Sequence, residues 1–193
     1  MSGVTGRATP FRERMLRTAL LDADAYEEVE ADRTSIWQAT GIVLAASGAA
    51  VLGFEMRLQR GHMLPPGSLP VALQLTVIFL EPLVLWLAGS AFTYMVGTSF
   101  FRGPETQTDY AEVLRTTGFA FTPALLAGLA FLPPDALGLG LLAVARLWTL
   151  AACVVAVRQA LDFTTGRAVG TFGVAAALLW LVLWGLSVAP VPI

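Results

Sequence analysis

Five apolar runs, each close to the length of a bilayer crossing, constrain this chain more than any other feature. A helix rises about 1.5 Å per residue, so roughly 20 apolar residues match the ~30 Å hydrocarbon layer. The runs cover residues 36–54, about 71–97, about 113–132, 137–160 and 168–189. Only 13% of the 193 residues are charged, against about a quarter in a soluble domain. The expected fold is all-α, a polytopic integral membrane bundle of five transmembrane helices preceded by an amphipathic N-terminal helix. Residues 1–34 read as a cytoplasmic N-terminal segment and 35–193 as the membrane domain.

Local signals mark several boundaries. Ser35 and Gln38 have capping-box spacing before the first run, and Asp109 and Glu112 repeat it before the third. Pro82 interrupts the second run and predicts a bend there. "LPPDALG", between the third and fourth runs, predicts a tight antiparallel turn. No apolar run precedes residue 36, so no cleaved secretion signal is expected. In the leader, Phe11, Met15, Ala19 and Ala23 form an i,i+4 stripe with Leu16 and Leu20 beside it. That pattern predicts a helix lying on the membrane, or a short solvated helix that caps the bundle.

Arginine sets the orientation, because the chain has 12 basic residues and all are arginine. With the N-terminus inside, Arg7, Arg12, Arg14, Arg17, Arg33, Arg102, Arg115, Arg158 and Arg167 fall on the inner side, and Arg57 and Arg60 on the outer. This distribution predicts a multi-pass protein with its N-terminus inside and its C-terminus outside; a basic set made of arginine alone points to a GC-rich prokaryote, and so to its cytoplasmic membrane. Net charge is −2 with scattered arginines, which excludes nucleic acid as a partner.

Two charges stand deep inside apolar runs, well away from either end. Glu81 lies about 15 Å along the second, and Arg146 about 14 Å along the fourth, measured from the same side. Each alone costs about 3 kcal/mol even on the lenient insertion scale. Pairing across the second and fourth helices is the simplest remedy. A pair that only fixes helix register and a polar site for a ligand or ion both follow from it. Cys153 sits in "LAACVVAV" and reads as an inert buried thiol. His62 reads as a solvated loop residue. No catalytic residue, metal-ligand spacing or cofactor motif is present in the sequence. Gly166 and Gly170, and the small residues Ala45, Ala46, Ala49 and Ala50, read as helix-packing surfaces.

The inner loops concentrate the remaining charge. "FFRGPETQTDYAEVLRTTGFAFTP" and "RQALDFTTGRAV" offer Arg102, Glu105, Asp109, Arg115, Arg158, Asp162 and Arg167. They read either as helix caps and positive-inside anchors or as a docking rim for lipid headgroups or a protein.

Those loops also carry a likeness. Residues 101–123, with Gly103, Tyr110, Leu114, Gly118, Phe119, Ala120 and Pro123, resemble the Yip family of small five-span membrane proteins. Residues 147–169 add Leu147, Trp148, Arg167 and Ala168, and "RMLRTALLDADAYEEV" is similar to leaders of prokaryotic members. The resemblance implies a cytoplasmic N-terminus, five spans and no catalytic residues to transfer. Eukaryotic members are associated with Rab-type GTPases and carry an Asp-Leu-Tyr/Trp-Gly-Pro segment that this sequence lacks. The expected function is a non-enzymatic membrane organiser or adaptor acting at the rim. The alternative is a small transporter or permease-like subunit using Glu81 and Arg146. Membrane lipids are the expected partners, together with another membrane protein or a cytoplasmic protein.

Overall fold

A computed structural model describes residues 9–61, 68–103, 108–130, 132 and 135–188. Arg7, His62, Glu105 and the two prolines of the "LPPDALG" turn lie outside the described residues. Among the described residues seven α-helices follow in order: α1 (Phe11–Ala19), α2 (Ala23–Ala31), α3 (Ser35–Gln59), α4 (Val71–Ser99), α5 (Tyr110–Phe119), α6 (Asp135–Ala160) and α7 (Thr165–Val188). A 3-10 helix, Thr122–Leu129, lies between α5 and α6.

Four helices among the described residues are long and apolar enough to cross a membrane: Ser35–Gln59, Val71–Ser99, Ala136–Ala160 and Thr165–Gly185. The expectation of five is therefore corrected. The run at 113–132 is not one helix but α5, of ten residues, followed by an eight-residue 3-10 segment. These pieces are about 15 and 16 Å long, each half of the hydrocarbon thickness. Pro123 is the local cause. It has no N–H to donate, and its ring would strike the carbonyl of Phe119 in a continued α-helix. That carbonyl accepts instead from the Thr122 hydroxyl at 2.8 Å. Packing stabilises the tighter geometry, because Gly53 on α3 admits the carbonyl of Ala127 where a Cβ would collide with it.

Pro82 does not end α4, which continues as one helix on both sides of it. Ser35 is a helical residue rather than the cap of α3, and its hydroxyl donates to the Val29 carbonyl at 2.8 Å. The spacing at Asp109 gives a complete capping box: Glu112 N–H donates to the Asp109 carboxylate at 2.8 Å, and Asp109 N–H to Glu112 at 2.9 Å.

The leader also departs from the expected single amphipathic helix. It folds into two short helices that turn at Leu21, whose φ is 65°. Asp22 caps α2 by accepting from the N–H groups of Asp24 and Ala25. Ion pairs close this hairpin: Arg14 with Asp32 at 2.7 Å, and Arg17 with both Asp22 at 2.7 Å and Glu28 at 2.6 Å. Tyr26 and Val29 are fully buried in a core shared with Ile42, Trp86, Phe119 and Ala156. Burial of apolar area therefore docks the hairpin on the bundle, while Phe11, Leu16 and Leu20 stay exposed on its outer side. The Trp148 indole N–H, which donates to the Ala19 carbonyl at 2.7 Å, fastens its turn to α6.

Candidate functional site

Two regions gather the polar groups of an otherwise apolar bundle. At the rim end, α4 and α6 finish while α5 and α7 begin. There Val113, Val157, Leu161, Phe163 and Ala168 form one buried cluster, with Phe101 packed against it. Loops 100–103 and 161–164 are thus drawn to the same end.

The charged rim residues have different fates. Arg115 is 5% exposed, and its Nη2 donates to the Glu30 carbonyl at 2.6 Å. Asp109 is committed to the α5 cap. Arg158 donates from Nε to Gln159 Oε1 at 3.0 Å, and Gln159 in turn donates to Glu27 at 2.8 Å. Asp162 is exposed at φ 52°, a left-handed position that aspartate tolerates better than most residues. Arg167 is exposed, with its guanidinium 5.4 Å from the Phe163 ring centroid, and Arg102 is exposed on the loop after α4. The rim also holds Glu30, whose carboxyl is raised to about 7 by burial first, then by the negative charges of Asp162 and Glu112.

Farther along the bundle, Arg146 Nη1 donates to Glu81 Oε1 at 2.9 Å, joining α6 to α4. The pair borders a cavity of about 410 Å³ enclosed by α3, α4, α6, α7 and the α5 to 3-10 segment. Its wall is mostly apolar; Ala50, Leu85, Ala124, Phe172 and Leu179 are representative. Hydroxyls interrupt it. Ser90 and Thr117 share a 2.7 Å hydrogen bond, and Thr93 and Thr149 stand nearby on the same wall. Arg146, Leu150, Trp180 and Leu183 line the cavity yet are exposed, so it opens sideways between α6 and α7.

Sequence reasoning missed these hydroxyls, because isolated Ser and Thr in an apolar helix look like packing residues. The available signal was the i,i+3 spacing of Ser90 and Thr93, which puts both on one face of α4. It also missed Trp86, whose indole N–H donates to the Leu114 carbonyl at 2.9 Å and ties α4 to α5. Among the described residues, no group of three or more His, Cys, Asp or Glu could hold a metal ion. Cys153 is a buried free thiol beside the cavity.

No curated protein and no solved structure matches the chain. The Yip1 domain model matches residues 19–187, from the end of α1 through nearly all of α7. That span takes in both loops of the rim, the Glu81–Arg146 pair and all four apolar helices, and this multi-pass membrane protein therefore belongs to the Yip1 domain family.

Proposed function

We propose that the chain is a membrane organiser or adaptor without chemistry of its own, which recruits a partner protein or anionic lipid at its rim. In this reading it sits in the cytoplasmic membrane of a prokaryote, and the arginine distribution favours an inside N-terminus and rim. One observation carries the proposal. The cluster of Phe101, Val113, Leu161 and Ala168 gathers two loops, while Arg102 and Asp162 on them and Arg167 in the first turn of α7 remain exposed. Arg115 and Asp109 hold the local fold, so they serve recruitment by keeping the rim in shape. Exposed guanidinium groups suit phosphate and carboxylate.

The test is an Arg102→Gln/Arg167→Gln double variant whose expression and orientation match the native chain. Proteins and lipids that co-purify in mild detergent are then quantified. Loss of one partner class supports recruitment and names the class; an unchanged set reduces the rim to a topological anchor.

A second reading, a small transporter or permease-like subunit, is favoured by the position of Glu81 and Arg146 on a cavity wall. Solute flux that depends on Glu81 in reconstituted vesicles is its test.

A further inference from the structure

Among the described residues, the 2.9 Å contact between Glu81 and Arg146 is the one side-chain hydrogen bond either of them makes. The Arg146 side chain is 61% exposed and that of Glu81 39% exposed, and both border the cavity. A guanidinium has five N–H donors and a carboxylate two acceptor oxygens. The described contact engages one Nη and one oxygen, at 2.9 Å. A ligand at this wall therefore meets a cation and an anion side by side.

The cavity's form narrows the ligand. Its volume of about 410 Å³ lies in the ~300–1,000 Å³ range of small-molecule sites. Its wall is mostly apolar, it lies between helices long enough to cross a membrane, and exposed Leu150, Trp180 and Leu183 flank its opening between α6 and α7. An acyl chain fits that environment better than a hydrated solute, since water needs polar partners to stay in a cavity.

Charge decides the head. A purely anionic head drawing on Arg146 would leave Glu81 uncompensated in low dielectric, and a purely cationic head would do the same to Arg146. A head with an ammonium beside a phosphate avoids both costs. The phosphate takes the Arg146 fork, the ammonium takes Glu81, and every charge keeps an opposite neighbour. We propose that this cavity binds a zwitterionic phospholipid of the phosphoethanolamine type, its head on Glu81 and Arg146 and one acyl chain directed toward Cys153 and Phe172. The site stands apart from recruitment at the rim, and it requires no flux.

The full chain in detergent supplies the test, because Trp86 and Trp180 line the cavity and report on it. Three single-chain probes of equal length carry a bromine on the chain: lysophosphatidylethanolamine, lysophosphatidic acid and an alkylammonium. Binding is read as quenching of tryptophan fluorescence. The zwitterion is expected to bind at least about tenfold tighter than either probe whose head carries charge of one sign only, the weight of one charge-assisted hydrogen bond. The Glu81→Gln/Arg146→Gln variant, which leaves no lone charge, is expected to bind all three alike. Gly89 lines the cavity, and a Cβ there meets only Leu179 at 3.9 Å, so Gly89→Leu fills open space and should abolish quenching by every probe. Equal affinities in the native chain would overturn the proposal, as would a preference that survives in the double variant or quenching that survives Gly89→Leu. If the double variant fails to fold, the probe series on the native chain decides alone. Loss of partners from the Arg102/Arg167 variant with probe binding intact would separate this site from the rim.

Discussion

Arg115 reaches across 85 residues of sequence to donate from Nη2 to the backbone carbonyl of Glu30 at 2.6 Å. The bond joins α5 to the end of α2 and places a buried cation beside a half-buried carboxyl. Glu112, one turn before Arg115, approaches the same guanidinium at 4.0 Å. The leader hairpin is therefore wired into the electrostatics of the rim.

Glu30 should make stability depend on pH. Its folded pKa is raised to about 7 from 4.5, chiefly by burial and then by Asp162 and Glu112, with Arg115 opposing. Between those values the folded state holds the proton more tightly than the unfolded chain. This group's contribution is thus fully present below about 4.5, declines as pH rises, and is gone above about 7. Thermal unfolding in detergent should show Glu30→Gln melting above the native chain at pH 8, with the gap narrowing toward pH 5. Parallel curves across that range would remove Glu30 as the cause.

Gly118 lets α5 pack tightly against Ala39 of α3 and Trp86 of α4. A Cβ there would lie 2.6 Å from the Ala39 Cβ and 3.1 Å from the Trp86 indole nitrogen. Gly118→Ala should destabilise the bundle by about 1–3 kcal/mol through overpacking. Gly173→Ala is the control, since nothing lies within 4 Å of its added Cβ. A lower melting temperature for both, by equal amounts, would point away from the contact at Ala39.

Glu81 and Arg146 should behave as a unit. Glu81→Gln leaves an arginine without its carboxylate, and Arg146→Gln leaves the reverse. Each lone charge costs about 3 kcal/mol in the apolar layer on the insertion scale. Folded yield in membranes should fall further for either single variant than for the double variant. Additive losses would show that the 2.9 Å contact contributes no coupling.

The docked leader predicts a protease pattern. Tyr26 is fully buried and its hydroxyl donates to the Thr18 carbonyl at 3.1 Å. Tyr26→Ala removes an aromatic side chain from the core, a change that typically costs about 3–5 kcal/mol. Trypsin should then cut faster at Arg17 and Arg33 while α3 to α7 stay intact. A leader that merely lay on the membrane would show the same cleavage with either residue at position 26.

The sequence by itself determined what short-range chemistry controls. Apolar composition over a bilayer's thickness marks α3, α4, α6 and α7, because transfer of each run into hydrocarbon depends on its own residues. The Asp109–Glu112 cap is equally local, as both partners lie within one turn. Equal helix rise on α4 and α6 was enough to set Glu81 and Arg146 at one depth. Tertiary structure decided the rest. Pro123 warns of a break, but the 3-10 geometry after it depends on Gly53 and Gly128 of two different segments meeting at close range. The stripe from Phe11 to Ala23 suits either a lipid surface or a protein groove, and the groove exists only once α3, α5 and α6 have assembled. Arg115 and Arg167 look alike as inner arginines; the fold buries one on the Glu30 carbonyl and leaves the other exposed over Phe163. The cavity belongs to no single run. It arises where α4, α6 and α7 fail to fill the space between them, and such a shortfall of packing is a property of the assembled helices alone.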